Sequence, residues 1–204
     1  MNGRLYDFFG RVPERKGLAQ RRARLVGDLE GDVLELGAGT GFTLPHYRKA
    51  RRIVAVEPDG SMARRLREKA GATAVPVEVV DASAEELPFA DASFDHVVCA
   101  LVLCSVRDPE RVLAEVRRVL KPSGSLVFLE HVRGTGRLAR WQDRLTPLWS
   151  RLMAGCHPNR DTAATIERAG FAFQRFERFD PFPAWVPARP MLEAVASPSA
   201  MPTR

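Results

Sequence analysis

The sequence predicts an α/β protein with a doubly wound sheet of seven strands, mostly parallel with an antiparallel last strand, and helices on both faces. Three observations carry this expectation. Short apolar runs alternate with amphipathic stretches, the signature of strand–helix–strand units in a parallel sheet. The first apolar run, Val33 to Leu36, flows into a turn with glycines at alternate positions, Gly37, Gly39 and Gly41. An acid, Glu57, then closes the second run about 20 residues later, the interval at which a crossover returns a strand beside the first.

Length and composition set the outer bounds. At 204 residues the chain has room for one domain with an ample core and hardly for two. A hydrophobic fraction of 45% against 27% charged is that of an ordinary globular protein, which argues against extended disorder. The net charge of +6 arises from arginines spread along the chain. Its densest runs, Arg15 to Arg24 and Arg64 to Lys69, have helical spacing and read as solvated faces, so no nucleic-acid partner is expected. Three cysteines, Cys99, Cys104 and Cys156, have no metal-ligand spacing and suggest a reducing compartment, with no metal expected. No secretory signal and no apolar run of membrane-spanning length is evident, so a cytoplasmic location is expected.

In chain order, Pro13 to Glu30 reads as an amphipathic helix through Leu18, Leu25, Val26 and Leu29. Before it, Tyr6, Phe8 and Phe9 either staple onto the core or close over the glycine turn. Thr43 to Arg48 is expected as a short helix, Arg52 to Val56 as the second strand, and Ser61 to Ala70 as a helix. Val75 to Val80 forms the third strand and Phe94 to Val102 a central fourth, nearly continuous in apolar residues. Asp108 caps, and Pro109 begins, a helix to Leu120. Ser125 to His131 is the fifth strand, so that five strands alternate with four helical crossovers.

Gly136 to Gly155 departs from that rhythm. Leu138, Trp141, Leu145, Leu148, Trp149, Leu152 and Met153 make a broad apolar stripe, interrupted by Pro147. The stripe has three readings: a cover over the site, a helix lying on a membrane, or core packing. Asn159 to Ala169 is a helix capped by Asn159 or Asp161 and stopped at Gly170. Phe171 to Phe179 alternates as an edge strand does, and Met191 to Ala196 returns antiparallel to it. Residues 1–196 thus form a single domain, with residues 1–30 as an N-terminal helical cap and residues 197–204 as a flexible tail.

The turn itself narrows the ligand. A dinucleotide fingerprint wants Gly or Ala where Phe42 stands, and no Lys-Ser/Thr pair follows the glycines. Glu35, just before the turn, would repel a pyrophosphate and attract a cation. Asp81 and the small Ala82 sit at the carboxyl end of the third strand, where open α/β sheets bind ligands. A nicotinamide oxidoreductase and a non-catalytic binding protein stand as rival readings, disfavoured by Phe42 and by the intact acids respectively.

E-L-G-A-G-T-G, V-E-P-D, D-A-S-A-E-E-L-P-F, S-F-D-H-V-V-C-A-L-V-L-C-S-V and E-V-R-R-V-L-K-P-S-G occur in that order. Together they resemble the class I S-adenosylmethionine-dependent methyltransferases of Rossmann-like fold, of the type 11 superfamily. V-V-C-A-L-V-L-C-S-V, F-L-E-H-V and the Trp-containing segment after them resemble the methyltransferase-like thiol S-methyltransferases; the N-terminal membrane-anchoring helix of those relatives is not expected here.

The resemblance implies S-adenosylmethionine as cofactor, leaving S-adenosylhomocysteine. Glu35, Gly37, Ala38, Gly39 and Gly41 would then face its methionine part. Glu57, followed by Pro58, would take the ribose hydroxyls; Met62 would pack on the adenine, and Asp81 with the Ala82 amide would read its edge. Ala100 and Leu101 would flank the reactive sulfur.

The acceptor is expected to be a small molecule, most often a thiol. A phospholipid headgroup reached through a membrane contact of residues 136–155, or a phenol or quinone, are the alternatives. A thiol must react as thiolate and an amine or phenol needs a base. His131 is the first candidate for the base, against a structural histidine. Cys104 is a candidate wall of the acceptor pocket, against inert packing, and Cys156-His157 with Asn159-Arg160 a candidate gating feature. Tyr6, Phe9, Tyr47, Trp141 and Trp149 complete the expected pocket, with residues 136–158 as its helical cover. Oligomeric state is left open by the sequence.

Overall fold

The computed structural model describes Gly3, Asp7 and residues 14–199. Seven strands run β1 (Gly31–Leu36), β2 (Ala50–Val56), β3 (Val77–Val80), β4 (Phe94–Ala100), β5 (Leu120–His131), β6 (Phe171–Phe179) and β7 (Met191–Pro198). They lie in the order β3-β2-β1-β4-β5-β7-β6. β1 to β5 pair parallel, and β7 runs antiparallel between β5 and β6. The strand order reverses between β1 and β4, which opens a crevice at their carboxyl ends where such sheets bind ligands.

Among residues 14–199, five α-helices clothe the sheet: α1 (Ala19–Val26), α2 (Gly60–Ala70), α3 (Pro109–Val119), α4 (Gly136–Leu152) and α5 (Thr162–Arg168). Successive side chains of a strand point to opposite faces. Leu34, Leu36, Val97 and Phe128 therefore bury against Val112 and Val116 of α3 and Ile166 of α5. Val33, Ile53, Val98 and Leu129 bury against Leu25 of α1 and Leu66 of α2.

Capping fixes where three helices begin. Asp59 accepts the backbone N–H groups of Ser61 and Met62, Asp108 those of Glu110 and Arg111, and Asp161 that of Ala164.

Several expectations are corrected. The helix expected over Thr43 to Arg48 shrinks to a single 3₁₀ turn, Leu44–His46, because Pro45 suits only a first turn and Tyr47 is already extended (ψ 127°). No helix joins β3 to β4; turns around an isolated Ser83–Glu86 bridge make that connection. The N-terminal helix begins as a separate turn, Glu14–Leu18, kinked at Gly17. The expected tail is partly strand. Ser197 and Pro198 extend β7 opposite Ala172 and Phe171, and Arg117 donates to the Ser199 carbonyl at 3.0 Å.

The apolar stripe of α4 only borders its inward face: Leu138, Trp141, Leu145 and Trp149 are half-buried. The residues buried there are Ala139, Gln142 and Thr146, whereas Leu148 and Leu152 are about 60% exposed and Met153 is exposed beyond the helix end. Gln142 decides the docking: its Oε1 accepts from Gly134 N–H at 2.8 Å, and its Nε2 donates to the carbonyls of Pro187, Pro158 and Val132. Orphan backbone groups around the end of β5 thus bind α4 through one amide. Among the described residues no helix is long and apolar enough to cross a membrane.

Candidate functional site

The glycine turn occupies the crevice at the tip of β1. Gly37, Gly39 and Gly41 have φ of 54°, 58° and 81°. At Gly37 a Cβ would also stand 2.8 Å from Val102 Cγ2, so the site demands glycine on two counts. Ala38 N–H donates to the Val56 carbonyl at 3.0 Å, which stitches the turn to the end of β2.

Glu57 is the hinge of this arrangement. Its Oε2 accepts Gly39 N–H at 2.8 Å and its Oε1 accepts Asp59 N–H at 2.9 Å, so one carboxylate holds both the turn and the start of α2. It is 6% exposed, and burial raises its pKa against the pull of those N–H groups. Each oxygen retains a lone pair for a ligand hydroxyl. Met62 lies close behind, 8% exposed on the first turn of α2, and Pro58 is exposed at the rim. Asp81 stands at the surface, paired with Arg67 at 2.8 Å; such a pair is weak, and the carboxylate can exchange it. Ala82 is half-buried on the core.

Glu35 lies elsewhere than expected. It points to the α1 face of the sheet, 1% exposed, and accepts the Tyr47 hydroxyl at 3.0 Å. Burial raises its pKa, opposed by Thr43, the Arg22 charge and Tyr47. Arg22 in turn donates to Thr43 Oγ1 at 2.8 Å and to Glu14 at 3.0 Å. The positive charge that acts on Glu35 is that of Arg22, the protein's own arginine, which is itself paired with Glu14. Tyr47 is corrected with it: 4% exposed, with its hydroxyl spent on Glu35, it packs the turn rather than lining a pocket. Burial and the neighbouring carboxylate push its phenol well above the ordinary range.

Asp7 supplies a contact that sequence reading missed. It accepts from Thr40 Oγ1 in the turn at 2.5 Å and from Arg65 Nε and Lys69 Nζ of α2 at 2.7 and 3.2 Å. Asp7 thus ties the glycine turn to α2. Tyr6 and Phe9, expected in the pocket, lie outside the described residues.

The turn after β4 connects the crevice to a second cluster. Ala100 is half-buried at the end of β4, and Leu101 adopts φ 66°, a left-handed conformation that a leucine rarely takes. Glu130, fully buried, accepts the N–H groups of Val102, Leu103 and Cys104 at 2.7, 2.9 and 3.2 Å and so fixes this turn. Burial, and then the Cys104 thiol, push its pKa well up. The available signal was a lone acid in the apolar run of β5.

Beyond that turn, Cys104, His131 and Cys156 converge. His131 Nδ1 lies 3.6 Å from Cys104 Sγ and 3.4 Å from Cys156 Sγ. His157 N–H donates to the Cys104 carbonyl at 2.6 Å, which latches the Cys156 segment onto the turn. Gly155 makes the latch possible, because a Cβ there, at φ 81°, would meet the Ser105 carbonyl at 3.1 Å. The neighbouring Cys156 thiol and burial push the Cys104 thiol far above its ordinary range. His131 thus turns Nδ1 to two protein thiols and keeps only Nε2 for an acceptor. Trp141 and Trp149 are half-buried on α4, and the buried Trp149 Nε1 has no partner among the described residues.

The crevice fits S-adenosylmethionine. A turn without side chains, a half-satisfied buried carboxylate at the β2 tip and an apolar wall at Met62 are the groups that a ribose diol and a flat adenine require. Comparison with known proteins agrees. The Methyltransferase domain family matches residues 34–128. Thiol S-methyltransferase TMT1B of Rattus norvegicus is 35% identical over 93% of this chain and 76% of its own length. Phosphatidylethanolamine N-methyltransferase of Cereibacter sphaeroides is 38% identical over 66% of this chain and 68% of its own. Among solved structures, geranyl diphosphate methyltransferase in complex with SAM superposes with a TM-score of 0.71 at 14% identity, covering 90% of this chain and 85% of that one.

Proposed function

Because the chain belongs to the S-adenosylmethionine-dependent methyltransferases, we propose that it methylates the sulfur of a small-molecule thiol. The observation that carries this reading is the 35% identity to a thiol S-methyltransferase across 93% of the chain. The convergence of Cys104, His131 and Cys156 one turn away from the crevice supports it.

S-adenosylmethionine supplies a methyl group already activated on a sulfonium. The protein's task is then to hold acceptor and methyl at about 3–3.5 Å, aligned and out of water. Gly37 to Gly41 lets the backbone pass close to the donor, Glu57 takes its ribose hydroxyls, and Met62 walls its adenine. Asp81 exchanges Arg67 for the adenine amine beside the Ala82 amide. Leu101, held by Leu101 N–H to the Leu129 carbonyl at 2.8 Å, and Ala100 flank the point of transfer. The acceptor arrives from the Cys104–His131 side, beneath α4.

The test is an acceptor screen by mass spectrometry with alkyl thiols and hydrogen sulfide against amines and phenols. Methylation of thiols is expected at the highest kcat/KM. Transfer to an amine or phenol with no thiol product would refute the reading.

A second reading, N-methylation of a phospholipid headgroup, is favoured by the exposed Leu148, Leu152 and Met153 on and just beyond α4 and by the bacterial relative. Co-flotation with phosphatidylethanolamine vesicles, lost in Leu148→Ser with Leu152→Ser, would support it; a protein that stays in solution would rule it out.

A further inference from the structure

Cys104, His131 and Cys156 come from three different segments: the turn after β4, the end of β5 and the loop after α4. Their ligand atoms nevertheless all lie within 4.8 Å of one another. A tetrahedral zinc ion, with Zn–S about 2.3 Å and Zn–N about 2.0–2.1 Å, sets sulfur and nitrogen about 3.5–3.6 Å apart along each edge of the tetrahedron. The two sulfur–nitrogen separations here, 3.6 and 3.4 Å, fall on either side of that value.

We propose that Cys104, His131 and Cys156 form a zinc site of two thiolates and one imidazole, whose fourth position takes the acceptor thiol. Three protein ligands with one open position is the coordination of catalytic rather than structural zinc. Two thiolates and a neutral imidazole also balance the ion's charge, which suits a pocket where both cysteines are buried.

The scaffold holds the donors in place without the metal. Glu130 fixes the Cys104 N–H at 3.2 Å, His157 N–H grips the Cys104 carbonyl at 2.6 Å, and Cys156 N–H is held by the Met153 carbonyl at 2.9 Å. His131 stands opposite Met191 in the antiparallel register of β7. The location suits the chemistry as well. Val102, two residues before Cys104, is the side chain that a Cβ at Gly37 would strike, so one short turn borders both the donor crevice and the metal.

This assignment of the acceptor rests on the thiol reading above. A thiol entering the fourth position releases its proton to solvent and binds as thiolate. Its sulfur forms the bond to the methyl carbon as the bond from that carbon to the sulfonium breaks, and that electron pair stays on the donor's sulfur. The thioether formed is a neutral, poorer ligand, and water replaces it.

The reduced full chain is equilibrated with zinc sulfate, dialysed and analysed for metal by mass spectrometry. About one zinc per chain is expected, with affinity falling at least tenfold in Cys104→Ser, Cys156→Ser and His131→Ala, and unchanged in Cys99→Ala. Calorimetric binding of S-adenosylmethionine by each variant separates loss of the metal from loss of the fold. With cobalt(II) in place of zinc, thiolate-to-metal charge-transfer and tetrahedral d–d bands should appear and shift on addition of 2-mercaptoethanol.

Wild-type protein with all its thiols free and no retained zinc, or with a Cys104–Cys156 disulfide in its place, would overturn the site. A cobalt spectrum indifferent to 2-mercaptoethanol would overturn the open position. Metal-free protein that methylates alkyl thiols at the full rate would remove the metal's role while leaving the thiol reading intact. A thiol-responsive metal with no methyl transfer to any thiol would leave the metal site standing and overturn both the thiol reading and the metal's role in transfer.

Discussion

Removing the Glu57 carboxylate tests the cofactor site most directly. In the free protein its two oxygens hold Gly39 N–H at 2.8 Å and Asp59 N–H at 2.9 Å. Their remaining lone pairs are the acceptors proposed for two ribose hydroxyls. Glu57→Gln keeps one acceptor oxygen and turns an NH₂ toward the other backbone donor. It also removes the burden of burying a charge, which is what raises the Glu57 pKa. These effects oppose each other, so the unfolding free energy should change by less than about 1 kcal/mol. Binding has no such compensation. Losing hydrogen bonds to a charged acceptor should weaken affinity by about 1–3 kcal/mol, roughly 5- to 150-fold, with Glu57→Ala at the upper end.

Calorimetry with both S-adenosylmethionine and S-adenosylhomocysteine separates the causes. The ribose is common to both ligands, and only the first carries a sulfonium charge. Equal losses are expected. A loss confined to S-adenosylmethionine would mean that Glu57 acts through charge on the sulfur, and an unchanged affinity for both would remove it from the site.

Three further outcomes follow from the geometry. Gly37→Ala forces φ 54° on a residue with a Cβ and drives that atom into Val102, so it should weaken cofactor binding by about 1–3 kcal/mol; Val102→Ala should relieve the clash and leave the backbone strain, as a double-mutant cycle in binding would read out. Glu130→Ala leaves three N–H groups of the turn after β4 without their buried acceptor, and should lower stability by about 2–4 kcal/mol in urea unfolding; a loss below 1 kcal/mol would show that the turn does not depend on it. The Arg51 hydrogen bond holds Asp32 below its ordinary 3.8, and the Ser61 hydroxyl does the same for Asp59. Stability from depressed carboxylates is fully present above their unfolded pKa and lost as pH falls through the folded values, so unfolding free energy should decline from about pH 4 downward, less steeply in Asp32→Asn.

The fold was legible because its determinants are local. A strand that must bury both faces is written as a run of apolar residues, and a turn that must take positive φ is written as Gly37, Gly39 and Gly41. A helix start is written as Asp108-Pro109. Errors came where a local pattern was underdetermined. The apolar stripe of α4 was compatible with a cover, a membrane face or core packing, and what decided its docking was Gln142, which serves the carbonyls of Val132, Pro158 and Pro187 and the Gly134 N–H.

Glu193 makes the same point. It is an acid inside β7, fully buried, and is held by Arg21 and Arg175 at 2.7 Å from opposite ends of the chain.

From its own letters the sequence determined the sheet and the glycine crevice, because these depend on backbone conformation and strand polarity, both properties of consecutive residues; the donor came from the resemblance of its motifs to a methyltransferase family. The tertiary structure alone decided which side chains share a site. It turned Glu35 beneath the turn toward Arg22, and brought Cys104, His131 and Cys156 together across separations of 27 and 25 residues. Such encounters are fixed by strand order and by where each loop is latched. No spacing along the chain encodes them.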